Sequence, residues 1–123
     1  MGIEKFTDLE VWRIAHQAVV ETYRITGGFP SDERFGLIQQ MRRSAVSVPA
    51  NIAEGFGRRH PKDKVRFYNI GQASIEELRY YLILAGDLGY TKDLDGVRRL
   101  LDSTARMLKR LVLSISNSDD SSP

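Results

Sequence analysis

A chain of 123 residues, 41% of them hydrophobic and none of them cysteine, has room for one packed core and no more. The missing thiols exclude a disulfide framework, a thiolate metal site and a cysteine nucleophile, so folding must rest on packing alone and a reducing compartment suits the composition. The net charge of +2 is unevenly spread: from Arg34 to Arg66 eight Lys and Arg face only Glu54 and Asp63, leaving +6, while the remainder carries ten against fourteen, leaving −4.

The N-terminal MGIEKFTDLEVW has no basic stretch followed by an apolar one, and Phe6 stands where a myristoylation signal needs Ser or Thr. No apolar run reaches the ~20 residues of a membrane span. A soluble, cytoplasmic protein is expected. Thr7 and Glu10 have the T-x-x-E spacing of a capping box, with Phe6 and Val11 placed to form a hydrophobic staple, and this predicts a helix over 8–26. Trp12, Ala15, Val19 and Tyr23 form one apolar stripe and Val11, Ile14, Ala18 and Ile25 a second. Gly27 and Gly28 offer a left-handed stop, and Pro30 forbids continuation.

A second helix is predicted over 32–57, capped by Ser31, with Asp32 and Glu33 in its first turn. Ile38, Met41, Ala45, Val48, Ile52 and Phe56 recur at helical steps across Pro49 without a change of phase. One helix kinked at Pro49 is therefore expected, ended by Gly55 and Gly57. After Arg58-Arg59-His60, Pro61 opens a third helix over 61–88, whose small residues Gly71, Ala73 and Ser74 permit close helix packing. Its YYLILA run is apolar nearly all round, which demands either a central position or a subunit interface. Leu94, Val97, Leu101, Thr104, Leu108, Leu111 and Ile115 make a heptad seam for a fourth helix over 92–115, with Asp95–Arg99 and Asp102–Arg106 spaced to pair. The SNSDDSSP end cannot build a core, and 117–123 is expected to be a disordered tail to a single domain over 1–116.

Four long helices on short loops predict an all-α, antiparallel up-down-up-down bundle. Positions on the second and third helices whose numbers sum to about 120 should then lie level. That rule pairs Arg43 with Glu77 and Glu54 with Arg66 as structural contacts, and sets Ser47 beside Ala73 and Ser74. Di-iron bundles need Glu-x-x-His, but Arg13 and Gly57 precede His16 and His60 by three, so no metal or other cofactor is predicted; His16 reads as a core-edge residue and His60 as a turn residue. No serine has a convincing histidine partner, and Glu54 and Glu77 should stand ~10 Å apart along the bundle axis. No catalytic residue is predicted. Arg42, Arg58, Arg59, Lys62, Lys64 and Arg66 remain as a basic patch of the kind that grips phosphate, or that pairs with acidic residues of another subunit.

The segments FTDLEVW at 6–12, RRSAVSVPANIAEGFGR at 42–58 and RFYNIGQASIEEL at 66–78 resemble the bacterial four-helix-bundle family of the 23S ribosomal RNA intervening-sequence protein, whose relatives include the accessory protein of diversity-generating retroelements. The resemblance covers nearly the whole chain except the tail. It departs from the family pattern at Gly71 and Ala73, where the family has alanine and then glycine. The resemblance implies a cytosolic bundle assembled as a homopentameric ring, in which a weak basic patch would be multiplied. Two readings follow: a non-enzymatic homo-oligomer that binds RNA or another nucleic acid through the basic patch, and a structural or regulatory adaptor that binds another protein without nucleic acid.

Overall fold

The computed structural model describes residues 2–120, with the side chains described through Asn117. Four α-helices follow in order: α1 (Glu10–Thr26), α2 (Leu37–Phe56), α3 (Pro61–Asp87) and α4 (Asp95–Asp120). Each packs antiparallel on its neighbours, α1 on α2 and α4, and α3 on α2 and α4, so α1 and α3 stand diagonally across an up-down-up-down bundle. The axis is filled by fully buried Met41, Ile52, Tyr68, Ile75, Leu78, Leu82, Leu101 and Leu108. All but Tyr68 are aliphatic or thioether chains, and within each helix they are three, four, seven or eleven residues apart, the spacing that keeps one face inward. The α4 seam holds as expected, with Leu94, Val97, Leu101, Thr104 and Leu108 buried and Leu111 and Ile115 half-buried.

Several helix ends differ from expectation, each for a local reason. Residues 6–8 form a 3-10 turn, and α1 starts at Glu10. Asp8 caps that 3-10 turn, its carboxylate accepting the amides of Lys5 at 3.0 Å and Glu4 at 3.1 Å, while α1 starts after Leu9 with no side-chain cap, so the Thr7–Glu10 box does not form. Phe6 packs edge-on against Trp12, with ring centroids 5.2 Å apart, and with α1 starting at Glu10 it no longer holds the staple position just before the cap. Gly27 stays right-handed (φ −62°); the left-handed glycine is Gly89 at φ 74°, where α3 stops. Residues 31–33 form another 3-10 turn, so α2 starts at Leu37 and its free amide there donates to Glu33 Oε1 at 3.2 Å. The other Glu33 oxygen accepts the Tyr90 hydroxyl at 2.8 Å, which ties the start of α2 to the end of α3.

Helix α2 runs unbroken through the buried Pro49. Gly55 lies inside it rather than ending it, because the Tyr68 ring sits where a β-carbon would be: an added Cβ would stand 2.5 Å from Tyr68 Cε1. Gly71 lets α3 approach both neighbours, its absent Cβ facing Leu108 at 3.4 Å and the Val48 carbonyl at 3.7 Å. Helix α4 runs from Asp95 to Asp120, past the expected helix end at 115; 121–123 lie outside the described residues. No glycine or proline interrupts the chain between Gly96 and Asp120, and extending an existing helix adds one hydrogen bond per residue fixed.

The predicted level rule for α2 and α3 holds and sets Ser47 beside Ser74 as expected, but the two charged pairs do not form. Ser74 Oγ meets Ser47 Oγ at 2.7 Å, and Ser44 Oγ donates to Glu77 Oε2 at 3.1 Å. Glu77 also accepts the Tyr81 hydroxyl at 3.2 Å. Among the described residues neither Arg43–Glu77 nor Glu54–Arg66 forms. One residue turns a helix by about 100°, so Ser44 faces α3 where Arg43 points outward. Glu54 is taken by Arg58 on its own helix at 3.1 Å, and Arg66 lies 3.9 Å from Asp63. Likewise Asp102 pairs across to Arg79 on α3 at 2.8 Å, leaving Arg106 to Ser103 Oγ at 3.4 Å.

Candidate nucleic-acid interface

The bundle needs a tight reversal between α2 and α3, and residues 57–60 supply it: Gly57 ends one helix, His60 is extended at φ −85° and ψ 134°, and Pro61 starts the next. Pro61 suits the first helical position because its missing amide has no partner there in any case. This brings Arg58, Arg59 and His60 to the tip and Lys62, Lys64 and Arg66 into the two turns beyond. The cations then divide by what their neighbours leave open.

Lys64 turns inward. Its ammonium donates to the Phe56 carbonyl at 2.9 Å and the Gly55 carbonyl at 3.2 Å, so it closes the C-terminal end of α2 and complements that end's negative dipole. Arg42 lies sixteen positions before Arg58, ~24 Å up the helix axis, and is not part of the tip. It performs the same service for α1: Nε donates to Thr26 Oγ1 at 3.0 Å, a second nitrogen approaches the Tyr23 carbonyl at 3.4 Å, and the guanidinium lies 4.4 Å from the Tyr23 ring centroid. Thr26 can accept this bond because its own hydroxyl proton goes to the Thr22 carbonyl at 2.7 Å.

The remaining four cations form the surface of the tip. The Arg58 and Arg66 guanidinium carbons each lie 4.6 Å from the Phe67 ring centroid, a distance at which the ring's negative face attracts a cation. Phe67 therefore gathers two arginines that their acids only partly neutralise, Glu54 at 3.1 Å from one and Asp63 at 3.9 Å from the other. Arg59 and Lys62 are exposed and, among the described residues, hold no ion pair or side-chain hydrogen bond. The sequence reading missed Phe67, although its place one residue after Arg66 and nine after Arg58 on either side of a turn is the signal that could have found it.

Acid–base and metal chemistry have little to work with. His16 is exposed and stacks flat on Trp12, ring centroids 5.1 Å apart, so it lies outside the core edge where it was expected. His60 is exposed at the tip. Among the described residues no three His, Cys, Asp or Glu side chains come together as a metal site, and no helix is long and apolar enough to cross a membrane.

The fold and the tip define a compact four-helix bundle that carries a cation–aromatic cluster at one end. Residues 7–110 match the family model of the 23S rRNA-intervening sequence protein, and the chain belongs to that family. No curated protein matches the chain closely enough to count as a relative.

Proposed function

We propose that this protein is a non-enzymatic, cytoplasmic, homo-oligomeric bundle, a homopentameric ring as the family resemblance implies, that binds RNA through Arg58, Arg59, Lys62 and Arg66 without a cofactor. One observation carries this reading. Of the six basic residues singled out in the sequence, two are spent on helix ends, while these four share one exposed tip with two of them stacked on Phe67. Free guanidinium groups grip phosphate through paired hydrogen bonds, and their flat faces stack on unpaired bases. The family's description makes RNA the first nucleic acid to test. A ring would present several such tips to one strand and convert weak contacts into avid binding.

The experiment is filter binding of structured and single-stranded RNA across a salt series. Each phosphate neutralised should steepen the log–log salt dependence by about 0.7 for single strands and about 0.9 for duplex. Replacing Arg58 and Arg59 with alanine should flatten the slope by roughly two such steps. RNA affinity that is absent, or indifferent to both salt and these substitutions, would defeat the RNA reading and leave a protein-binding adaptor.

A further inference from the structure

Outside 34–66 the charge balance of the chain is −4, yet within that remainder residues 98–110 carry five Lys and Arg against Asp102 alone. Arg99, Arg106 and Arg110 follow at steps of seven and four, which return a helix to nearly the same side each time, and Leu101, Thr104 and Leu108 on the opposite side are buried. The three arginines therefore form one exposed line on the outermost face of α4. Folding also draws off the acids that could neutralise them. Asp102, four residues before Arg106, goes to Arg79 of α3 at 2.8 Å and leaves Arg106 only the Ser103 hydroxyl at 3.4 Å. Asp95, four residues before Arg99, forms no ion pair among the described residues, and Arg98, Arg99, Lys109 and Arg110 hold neither an ion pair nor a side-chain hydrogen bond there.

The line runs towards the tip. The Arg79–Asp102 pair and the Gln72 amide, which donates to the Ala105 carbonyl at 3.2 Å, fix α3 against α4 so that positions whose numbers sum to about 179 lie level. Arg110 then stands at the height of Asn69, one turn from Arg66, on a helix axis ~8–10 Å from that of α3. We propose that the RNA surface of the tip continues along the outer face of α4, where Arg110, Arg106 and Arg99 hold the phosphate backbone of one strand that enters over Lys62 and Arg66. The inference rests on the RNA reading of the tip and extends its footprint. From the height of Lys62 to Arg99 is ~27 Å along α4, which is about eight steps of a duplex strand at about 3.4 Å each. Phosphate fits this line because a free guanidinium grips it through paired hydrogen bonds. An amphipathic acidic peptide needs apolar contacts among the charges, and between Arg99 and Arg110 the line holds only Ser103 and Arg106.

The test is filter binding of an oligouridylate long enough to cover both surfaces, across a salt series, with circular dichroism and sedimentation mass checked for every variant. R106A/R110A should flatten the log–log salt slope by about 1.4, at about 0.7 per single-strand phosphate, as much as R58A/R59A does, and the fourfold variant should lose about twice that. R106K/R110K should keep the wild-type slope. Lys92→Ala removes an exposed cation from the α3–α4 connection, at the other end of the bundle from the tip, and serves as the control for overall charge; it should change the slope far less than Arg110→Ala. A wild-type protein that binds no RNA would overturn the proposed function and this track with it. RNA binding that depends on Arg58 and Arg59 but keeps its slope in R106A/R110A, or that responds to Arg110→Ala no more than to Lys92→Ala, would overturn the α4 track alone. So would binding of polyglutamate, in place of RNA, that requires Arg106 and Arg110, because it would mark the line as a surface for an acidic protein.

Discussion

Gly55→Ala is the sharpest test of how the bundle is packed where α2 meets α3. In an α-helix, exchanging glycine for alanine ordinarily stabilises by ~1 kcal/mol. Here the new β-carbon would stand 2.5 Å from Tyr68 Cε1, 2.8 Å from Cδ1 and 3.1 Å from Cζ. The ring cannot swing away, since Tyr68 is only 2% exposed. Overpacking of this kind costs ~1–3 kcal/mol and more when backbone must move, so the clash should outweigh the propensity gain and leave a net loss of ~1–2 kcal/mol. Gly96→Ala on α4 is the control, because a Cβ there meets nothing within 4 Å; it should be neutral or stabilising by up to ~1 kcal/mol. Urea unfolding at one fixed protomer concentration reads both. The double variant Gly55→Ala/Tyr68→Leu should recover part of the loss, which isolates the contact. Gly55→Ala matching Gly96→Ala in stability would refute the reasoning.

Cations at the tip should separate into two groups. Lys64→Met should lower stability by ~1 kcal/mol through loss of the α2 end cap, with little change in the salt slope of RNA binding, whereas Lys62→Ala should flatten that slope by ~0.7–0.9 and leave the unfolding midpoint in place. Arg42→Met should destabilise by ~1–2 kcal/mol in urea, because the Thr26 and Tyr23 ends of α1 lose their donor. The amides of Lys5 and Glu4 hold the Asp8 carboxyl below its ordinary value of 3.8. A depressed folded-state value means that its contribution is complete above the unfolded pKa and fades as pH falls through the folded one. Thermal unfolding followed from pH 6 to pH 2 should therefore show a smaller acid loss in Asp8→Asn than in the wild type.

The helices were legible in the sequence because their signal is repeated many times: a stripe such as Leu94, Val97, Leu101, Thr104 and Leu108 stays in phase whatever one residue does. The ends were less legible because each turns on a single competition between neighbours. Thr7 was expected to cap α1, but Asp8 folds residues 6–8 into a 3-10 turn by accepting the amides of Lys5 and Glu4, and the helix start moves to Glu10. The height at which α2 meets α3 followed from the short turn at residue 60, and Ser47–Ser74 lies at that height. Which side chain at that height meets its partner depends on rotation about the helix, and a slip of one residue separates Ser44, which reaches Glu77, from Arg43, which does not.

The basic middle of the chain holds a more general lesson about charge. Counting gave +6 between Arg34 and Arg66 as one patch, yet folding disperses it by a rule the count cannot contain. A helix ends in carbonyls that lack donors, and any cation within reach of those carbonyls is drawn to them before it can serve a partner. Lys64 reaches the end of α2 and Arg42 the end of α1, so both are withdrawn from solvent chemistry. Arg59 and Lys62 reach no such end and stay exposed. Arg34 and Arg43 line a groove between α1 and α2, away from the tip. One basic segment thus becomes two helix caps, one exposed tip and one groove rim. Charge reversal at the tip should therefore lower RNA affinity, whereas removal of the two cap cations should lower the unfolding midpoint instead.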